Sequence, residues 1–127
     1  PFGLHGYIDH YTVDSDKKQV TICDLKTTGK TISDFKETID FYNYWLQAAI
    51  YSKLVYDSLG DDRDDYNIVF KFVVIDLYKQ VYVFDVLDDT LSAWAGGLSG
   101  ALKTAKYHYE NRNYSLPYDF LVNKIKL

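Results

Sequence analysis

Cysteine is nearly absent from this chain: Cys23 stands alone in 127 residues. A single thiol cannot close an intramolecular disulfide or build a cysteine-based zinc site, and such sparse usage fits a reducing compartment. Long apolar runs are missing too. No stretch approaches the roughly 18 residues that a membrane-crossing helix needs, so no membrane partner is expected, and no signal peptide opens the chain. Excess positive charge is also lacking. Fourteen Lys and Arg against eighteen Asp and Glu leave a net charge of −4. The surface therefore offers no global attraction for nucleic acid or anionic lipid, and any polyanion must be held locally. Internal repeats and low-complexity linkers are absent, as expected of one domain over residues 1–127.

What is present is an apolar content of 47%, enough to argue against disorder and for a real core. Thirteen tyrosines and sixteen aspartates stand out against two glutamates. Most of the tyrosines read as amphipathic strand and helix residues with wet hydroxyls. The alternation over residues 5–13 predicts a strand, Asp14-Ser15-Asp16-Lys17-Lys18 a hairpin turn, and residues 19–27 the partner strand. In that second strand Val20, Ile22, Asp24 and Lys26 share a face, because side chains repeat every two residues. Cys23 takes the other face and reads as a core residue.

Asp40 is a candidate N-cap for a helix over 41–59, with Gly60 just past its end. Asn43, Gln47 and Tyr51 fall on one stripe of it, beside an apolar face. The acidic run Asp61-Asp62-Arg63-Asp64-Asp65 reads as a solvated loop. Residues 67–76 are apolar enough for a strand buried on both faces, and 80–87 alternate as another strand. Asp88 or Asp89 can cap a helix over 90–112. Pro117, Phe120, Leu121 and Val122 suggest a short element packing back. The order strand, strand, helix, strand, strand, helix predicts an α/β or α+β fold with a central mixed sheet covered by helices.

The chemistry lies in polar residues on these otherwise apolar elements. Carboxylates and a lysine on strands cost desolvation energy unless they pair or bind a cation. Asp9 on the first strand and Asp24 on the second can converge on one Mg²⁺ or Mn²⁺, and without a cation two such carboxylates would repel. Lys26, two residues on, shares the face of Asp24. Hydrolysis of a phosphodiester needs such a set: a divalent ion on hard oxygen ligands, an activated water, and positive charge for the phosphate.

Gly6-x-x-Asp9, Asp24-Leu25-Lys26 and Gln47-x-x-x-Tyr51, in this order, resemble the PD-(D/E)XK nuclease superfamily, in its RecB-like and phage RecE-type exonuclease branch. The resemblance spans roughly residues 3–59. It implies a restriction-endonuclease-like core and a metal-dependent exodeoxyribonuclease of phage-type recombination or repair. Asp9, Asp24 and the backbone carbonyl of Leu25 would ligate Mg²⁺ or Mn²⁺. Lys26 would orient or activate water and stabilise developing negative charge, and Gln47 and Tyr51 would line the cleft and contact the substrate or support the site. Thr27 and Thr28 are candidate phosphate contacts. The implied partner is DNA, as linear duplex, with a single-strand annealing protein and further copies of the chain as additional partners. The implied setting is a bacterial or phage-encoded cytoplasmic protein.

Family members carry a Glu or His on a helix before the first strand, and this chain opens on Pro1 and enters a strand almost at once. The expectation is therefore a fragment lacking an upstream helix. Each residue also has a plainer reading: Asp24 and Lys26 as a surface ion pair, Asp9 as a turn cap, Gln47 and Tyr51 as helix boundary residues. His10 alternates away from Asp9, whereas His5 shares its parity. His108 and Arg112, with Lys103 and Lys106 nearby, read as a solvated helix face rather than a DNA-backbone track. A catalytically silent nuclease fold that binds DNA or protein is the alternative function, and a tyrosine-rich ligand-binding module is a third. The residues leave open DNA against RNA, and exo- against endo-cleavage.

Overall fold

The computed structural model describes residues 3–122. Strand β1 (His10–Asp14) turns into β2 (Gln19–Thr27) through a hairpin. Asp14 Oδ1 accepts the backbone N–H groups of Asp16 at 3.1 Å and Lys17 at 3.0 Å, and Lys18 closes the turn in the left-handed region at φ 53°. After a 3₁₀ turn (Ile32–Asp34) come α1 (Phe35–Phe41) and α2 (Tyr44–Ser58). A second 3₁₀ turn (Gly60–Asp65) leads into β3 (Asn67–Ile75) and β4 (Val81–Asp85), then α3 (Asp88–Asn111) and the short α4 (Tyr118–Leu121). The four strands form one sheet in the order β1-β2-β3-β4. Only the central β2–β3 pair is parallel, and α1 and α2 lie in its crossover. A parallel neighbour requires such a long connection, and here it supplies the helices of the core. The chain is thus a mixed α+β fold with a four-stranded mixed sheet and packed helices. Among the described residues, no helix is long and apolar enough to cross a membrane.

The core grows from one face of the sheet. Val20 and Ile22 of β2 and Phe70, Phe72 and Val74 of β3 are fully buried, together with Phe35 of α1 and Ala48 and Val55 of α2. The Phe35 ring meets Phe72 edge-on at 5.6 Å and lies 4.9 Å from Phe84. Burying each such ring is worth about 2–3 kcal/mol, so this aromatic cluster pins the crossover to the sheet. Leu91 and Trp94 of α3 pack on its flank. Helices α2 and α3 come unusually close at Gly97, where a Cβ would lie 2.9 Å from Trp45 Cζ3.

Several sequence expectations change. The first strand begins at His10, not at residue 5. β3 is buried on one face only: Phe70, Phe72 and Val74 are inside, while Val69, Lys71, Val73 and Ile75 are half-buried. The apolar residues around Lys71 on the open face reflect β-propensity rather than a second layer of helices. The helix expected over 41–59 is α2, which starts at Tyr44, and an additional helix, α1, precedes it across a break at Tyr42 and Asn43, with Asn43 left-handed at φ 57°. Asp40 therefore lies inside α1 and caps nothing. Asp88 and Asp89 are not caps either. They occupy the first turn of α3, where their charge suits the positive end of the helix dipole. The acidic stretch 61–65 is exposed as expected, but wound into the 3₁₀ turn. Residues 118–121 form the expected short element, with Tyr118 edge-on to Tyr107 at 5.2 Å.

Candidate functional site

The two-residue period of β2 carries the core face directly into a polar cluster. After Val20 and Ile22 the next inward residue is Asp24, only 2% exposed, and then Lys26. Lys26 Nζ lies 2.9 Å from Asp24 Oδ2. The contact is ionic but misaligned, so Asp24 Oδ2 is a buried acceptor without a hydrogen bond. The β1–β2 register pairs His10 with Cys23, and one further step sets Asp9 opposite Asp24 on the same face. Asp9 stands just before the start of β1, where Leu25, paired with Val73 of β3, has no partner on the β1 side. Its Oδ2 takes over that role and accepts the Leu25 N–H at 2.8 Å. Since both backbone groups of a strand residue leave on one side, the Leu25 carbonyl is directed to this same edge.

Helix α2 closes the cluster from above. Lys26 Nζ donates to Gln47 Oε1, and Gln47 Nε2 donates to the Tyr51 hydroxyl at 2.8 Å. The i, i+4 spacing on the helix makes that second bond possible. Lys26 Nζ also lies 4.2 Å from the centroid of the Tyr44 ring, a cation–π contact. The ammonium is thus held by a carboxylate, an amide oxygen and an aromatic face. Gly6 explains its own place in the first motif: a Cβ there would meet Tyr51 Cε1 at 3.2 Å, so only glycine lets the chain pass over that ring without displacement. Between these elements opens a cleft of about 520 Å³, with Lys26, Tyr44, Gln47 and Tyr51 on its walls and His5 and Gly6 at its mouth.

Electrostatically the centre of the cluster is Asp24. Burial pushes its carboxyl above the usual value of 3.8, and the neighbouring Asp9 carboxylate pushes it the same way, while Lys26 opposes both. A carboxylate that is buried, partly paired, close to a second carboxylate and short of a hydrogen bond is poised to accept a cation. Asp9, Asp24 and the Leu25 carbonyl are hard oxygen donors of the kind Mg²⁺ or Mn²⁺ takes, with water completing the shell. Among the described residues no group of three or more His, Cys, Asp or Glu side chains converges, so two carboxylates make up the acidic share of this donor set.

Not every candidate joins the cluster. Thr27 lies at the exposed end of β2 with the parity of Cys23 and Leu25, and its side chain takes the open face of the sheet, away from Lys26. Thr28 Oγ1 accepts the Lys30 N–H at 3.2 Å, which commits it to the turn after β2. His10 takes the face opposite Asp9. Cys23, on the open face, is half-buried rather than in the core. His108 Nδ1 lies 2.6 Å from the Asn113 carbonyl and Lys106 pairs with Glu110 at 3.7 Å, so that end of α3 is occupied with its own contacts. A second cleft, about 590 Å³, runs between α2, α3 and the start of β3. Its lining includes Ser52, Tyr56, Asp88 and Leu98 but none of the cluster residues.

Sequence reasoning missed Tyr44, which touches the ammonium, and with it Phe41, Tyr42 and Lys30 alongside. The signal available was the run Phe41-Tyr42-Asn43-Tyr44-Trp45, too dense in rings for the first turn of a simple amphipathic helix. No protein-family model, curated protein or solved structure matches this chain.

Proposed function

We propose that this chain is the core of a metal-dependent DNA nuclease of the PD-(D/E)XK type, acting as an exodeoxyribonuclease in phage-type recombination or repair. The observation that carries the reading is Asp24: a carboxylate 2% exposed, on a strand, with Lys26 two residues on and Asp9 across the ladder. A buried ion pair is a poor way to stabilise a sheet, since apolar residues of the same volume do as well or better. Its presence beside an open cleft is better accounted for by chemistry.

Mg²⁺ or Mn²⁺, held by Asp9, Asp24 and the Leu25 carbonyl, would polarise the scissile phosphate and lower the pKa of a bound water. Lys26 supplies the fixed positive charge. Held by Asp24 and Gln47, its ammonium needs little reorganisation to donate to a phosphate oxygen as negative charge builds up there. Gln47 transmits the position of α2 to Lys26, and Tyr51 holds the Gln47 amide so that its oxygen faces the ammonium. Asp9, through the Leu25 N–H, keeps the strand end and its carbonyl in place. A second reading, a silent domain of the same architecture that binds DNA or protein without cleaving, is favoured by the small donor set of two carboxylates.

Linear duplex DNA incubated with Mg²⁺ or Mn²⁺ separates the two. Cleavage by the wild-type chain, falling by about 10²–10³ in Asp24→Asn and in Lys26→Ala, is the expected result. Metal-dependent cleavage at the same rate in wild type and Lys26→Ala would refute the assignment. Circular and RNA substrates in the same assay decide between exo and endo action and between DNA and RNA.

A further inference from the structure

The rings missed in the sequence form a ladder that starts at the cluster and ends in water. Tyr44 lies under the Lys26 ammonium and is anchored in the core, 6.3 Å from Phe35 and 6.4 Å from Phe72. Tyr42 stacks on Tyr44, with centroids 5.7 Å apart and planes at 22°. Phe41 meets Tyr42 edge-on at 4.8 Å. Beyond them Lys30 Nζ lies 5.5 Å from the Phe41 centroid. Exposure rises along the ladder: Tyr44 is half-buried, Tyr42 is 55% exposed and Phe41 73% exposed.

The backbone builds this arrangement through one residue. Asn43 holds the left-handed region at φ 57°, breaking what would otherwise be one continuous helix. Asparagine is among the few side chains that adopt this conformation readily, so the break comes at little conformational cost. The break turns Tyr42 and Phe41 out beside the cleft, whose walls include Tyr42, Asn43 and Tyr44 together with Lys26. Neither exposed ring joins the buried core.

We propose that Phe41 and Tyr42 form a stacking platform for unpaired bases of a DNA strand whose backbone runs from Lys30 to Lys26. The inference rests on the nuclease reading for its direction, towards the Asp24 cluster, but not for its chemistry. Three rings in series between two ammonium groups offer stacking surface to bases and a phosphate partner at each end, and both features recur wherever single strands are bound without sequence preference. The spacing of Tyr42 and Tyr44 is that of an offset pair in contact. It leaves no room for a base between them, so the base rests on the exposed ring surface that Tyr44 and Lys30 leave free on Tyr42 and Phe41. Bases inside a duplex are already stacked on their neighbours and cannot use such a surface. The platform therefore selects a frayed or single-stranded end and feeds it to the cluster.

Fluorescence anisotropy with a labelled oligothymidylate, in EDTA so that no cleavage occurs, tests this on the whole chain. Wild type should bind the single strand more tightly than a blunt duplex of the same length. Phe41→Ala and Tyr42→Ala should each weaken it by about 5- to 150-fold, the range for loss of one base–aromatic stack. Tyr42→Phe, which keeps the ring, should restore binding. A strand with abasic sites keeps every phosphate and should bind wild type as weakly as the normal strand binds the variants. Equal affinity of wild type and Phe41→Ala/Tyr42→Ala, equal affinity for normal and abasic strands, or no single-strand binding by wild type would each overturn the platform. Its failure is distinct from that of the nuclease. Cleavage lost in Asp24→Asn together with ring-independent binding removes the platform alone, whereas ring-dependent binding without any cleavage removes the nuclease alone.

Discussion

Asp24 and Lys26 form one ion pair, yet removing one partner should cost far more stability than removing the other. Asp24→Asn takes away a buried charge and keeps its shape. The ammonium left behind is not orphaned: it keeps Gln47 Oε1, the Tyr44 face and a side chain 13% exposed to water. A charged hydrogen bond and a cation–π contact are worth about 1–3 kcal/mol each, and the desolvation of the carboxylate is relieved at the same time. The net change should stay within about 1 kcal/mol. Lys26→Met leaves the Asp24 carboxylate, with a side chain 3% exposed, facing Asp9 with no cation. Stranding a buried charge costs about 3–5 kcal/mol, reduced as the group takes up a proton.

The pH dependence follows from the direction of the shift. The folded-state carboxyl of Asp24 lies above its unfolded value of 3.8, so the protonated form is the one that folding favours. Stability from this group is complete below 3.8 and is lost as pH rises through the raised folded value. Lys26→Met removes the influence that held that value down, and its penalty should therefore be largest near neutral pH and shrink in acid. Urea denaturation of wild type, Asp24→Asn and Lys26→Met at about pH 7 and about pH 4, without divalent cations, measures all of this. A penalty of 3 kcal/mol should lower the melting temperature by roughly 10–20 °C. A larger loss in Asp24→Asn than in Lys26→Met, or a Lys26→Met penalty independent of pH, would refute the reasoning.

Calorimetric titration of Mn²⁺ should show affinity reduced at least about tenfold in Asp9→Asn and Asp24→Asn but nearly unchanged in Lys26→Ala, because an ammonium is not a ligand. Gly97→Ala should destabilise by about 1–2 kcal/mol, since the new methyl would fall 2.9 Å from Trp45 Cζ3 and overpacking outweighs the gain in helix propensity. Gly100→Ala, with nothing within 4 Å on the same helix, should instead stabilise by about 0.5–1 kcal/mol, and thermal melts of the two variants should move in opposite directions. Gly6→Ala should displace the Tyr51 ring, loosening the Gln47 contact, and should lower turnover on DNA severalfold while leaving Mn²⁺ affinity intact.

The sequence by itself determined what depends on neighbours along the chain. The common face of Val20, Ile22, Asp24 and Lys26 follows from the two-residue period of a strand, whatever packs on it. The hairpin follows from Asp14 and its reach to the next backbone N–H groups, and the Gln47–Tyr51 bond from one turn of helix. Joined by the short hairpin, these local rules were enough to bring Asp9 within reach of Asp24.

Only the tertiary structure decided which surfaces are covered and where the helices break. β3 is mostly apolar on both faces, and only Lys71 hints locally that the crossover and α3 pack on one side and leave Val73 and Ile75 half-exposed. Asn43 is a residue that tolerates the left-handed region, but nothing local places such a turn there within a ring-rich run. The anchoring of Phe35 on one side and Tyr44 on the other, both against Phe72, imposes that turn. Thr27 shows the same division: its neighbours in sequence belong to the cluster, but the sheet carries its side chain to the opposite face. Period and spacing are properties of the chain's own geometry, whereas burial is settled between segments far apart in sequence, and burial is what makes Asp24 chemically unusual.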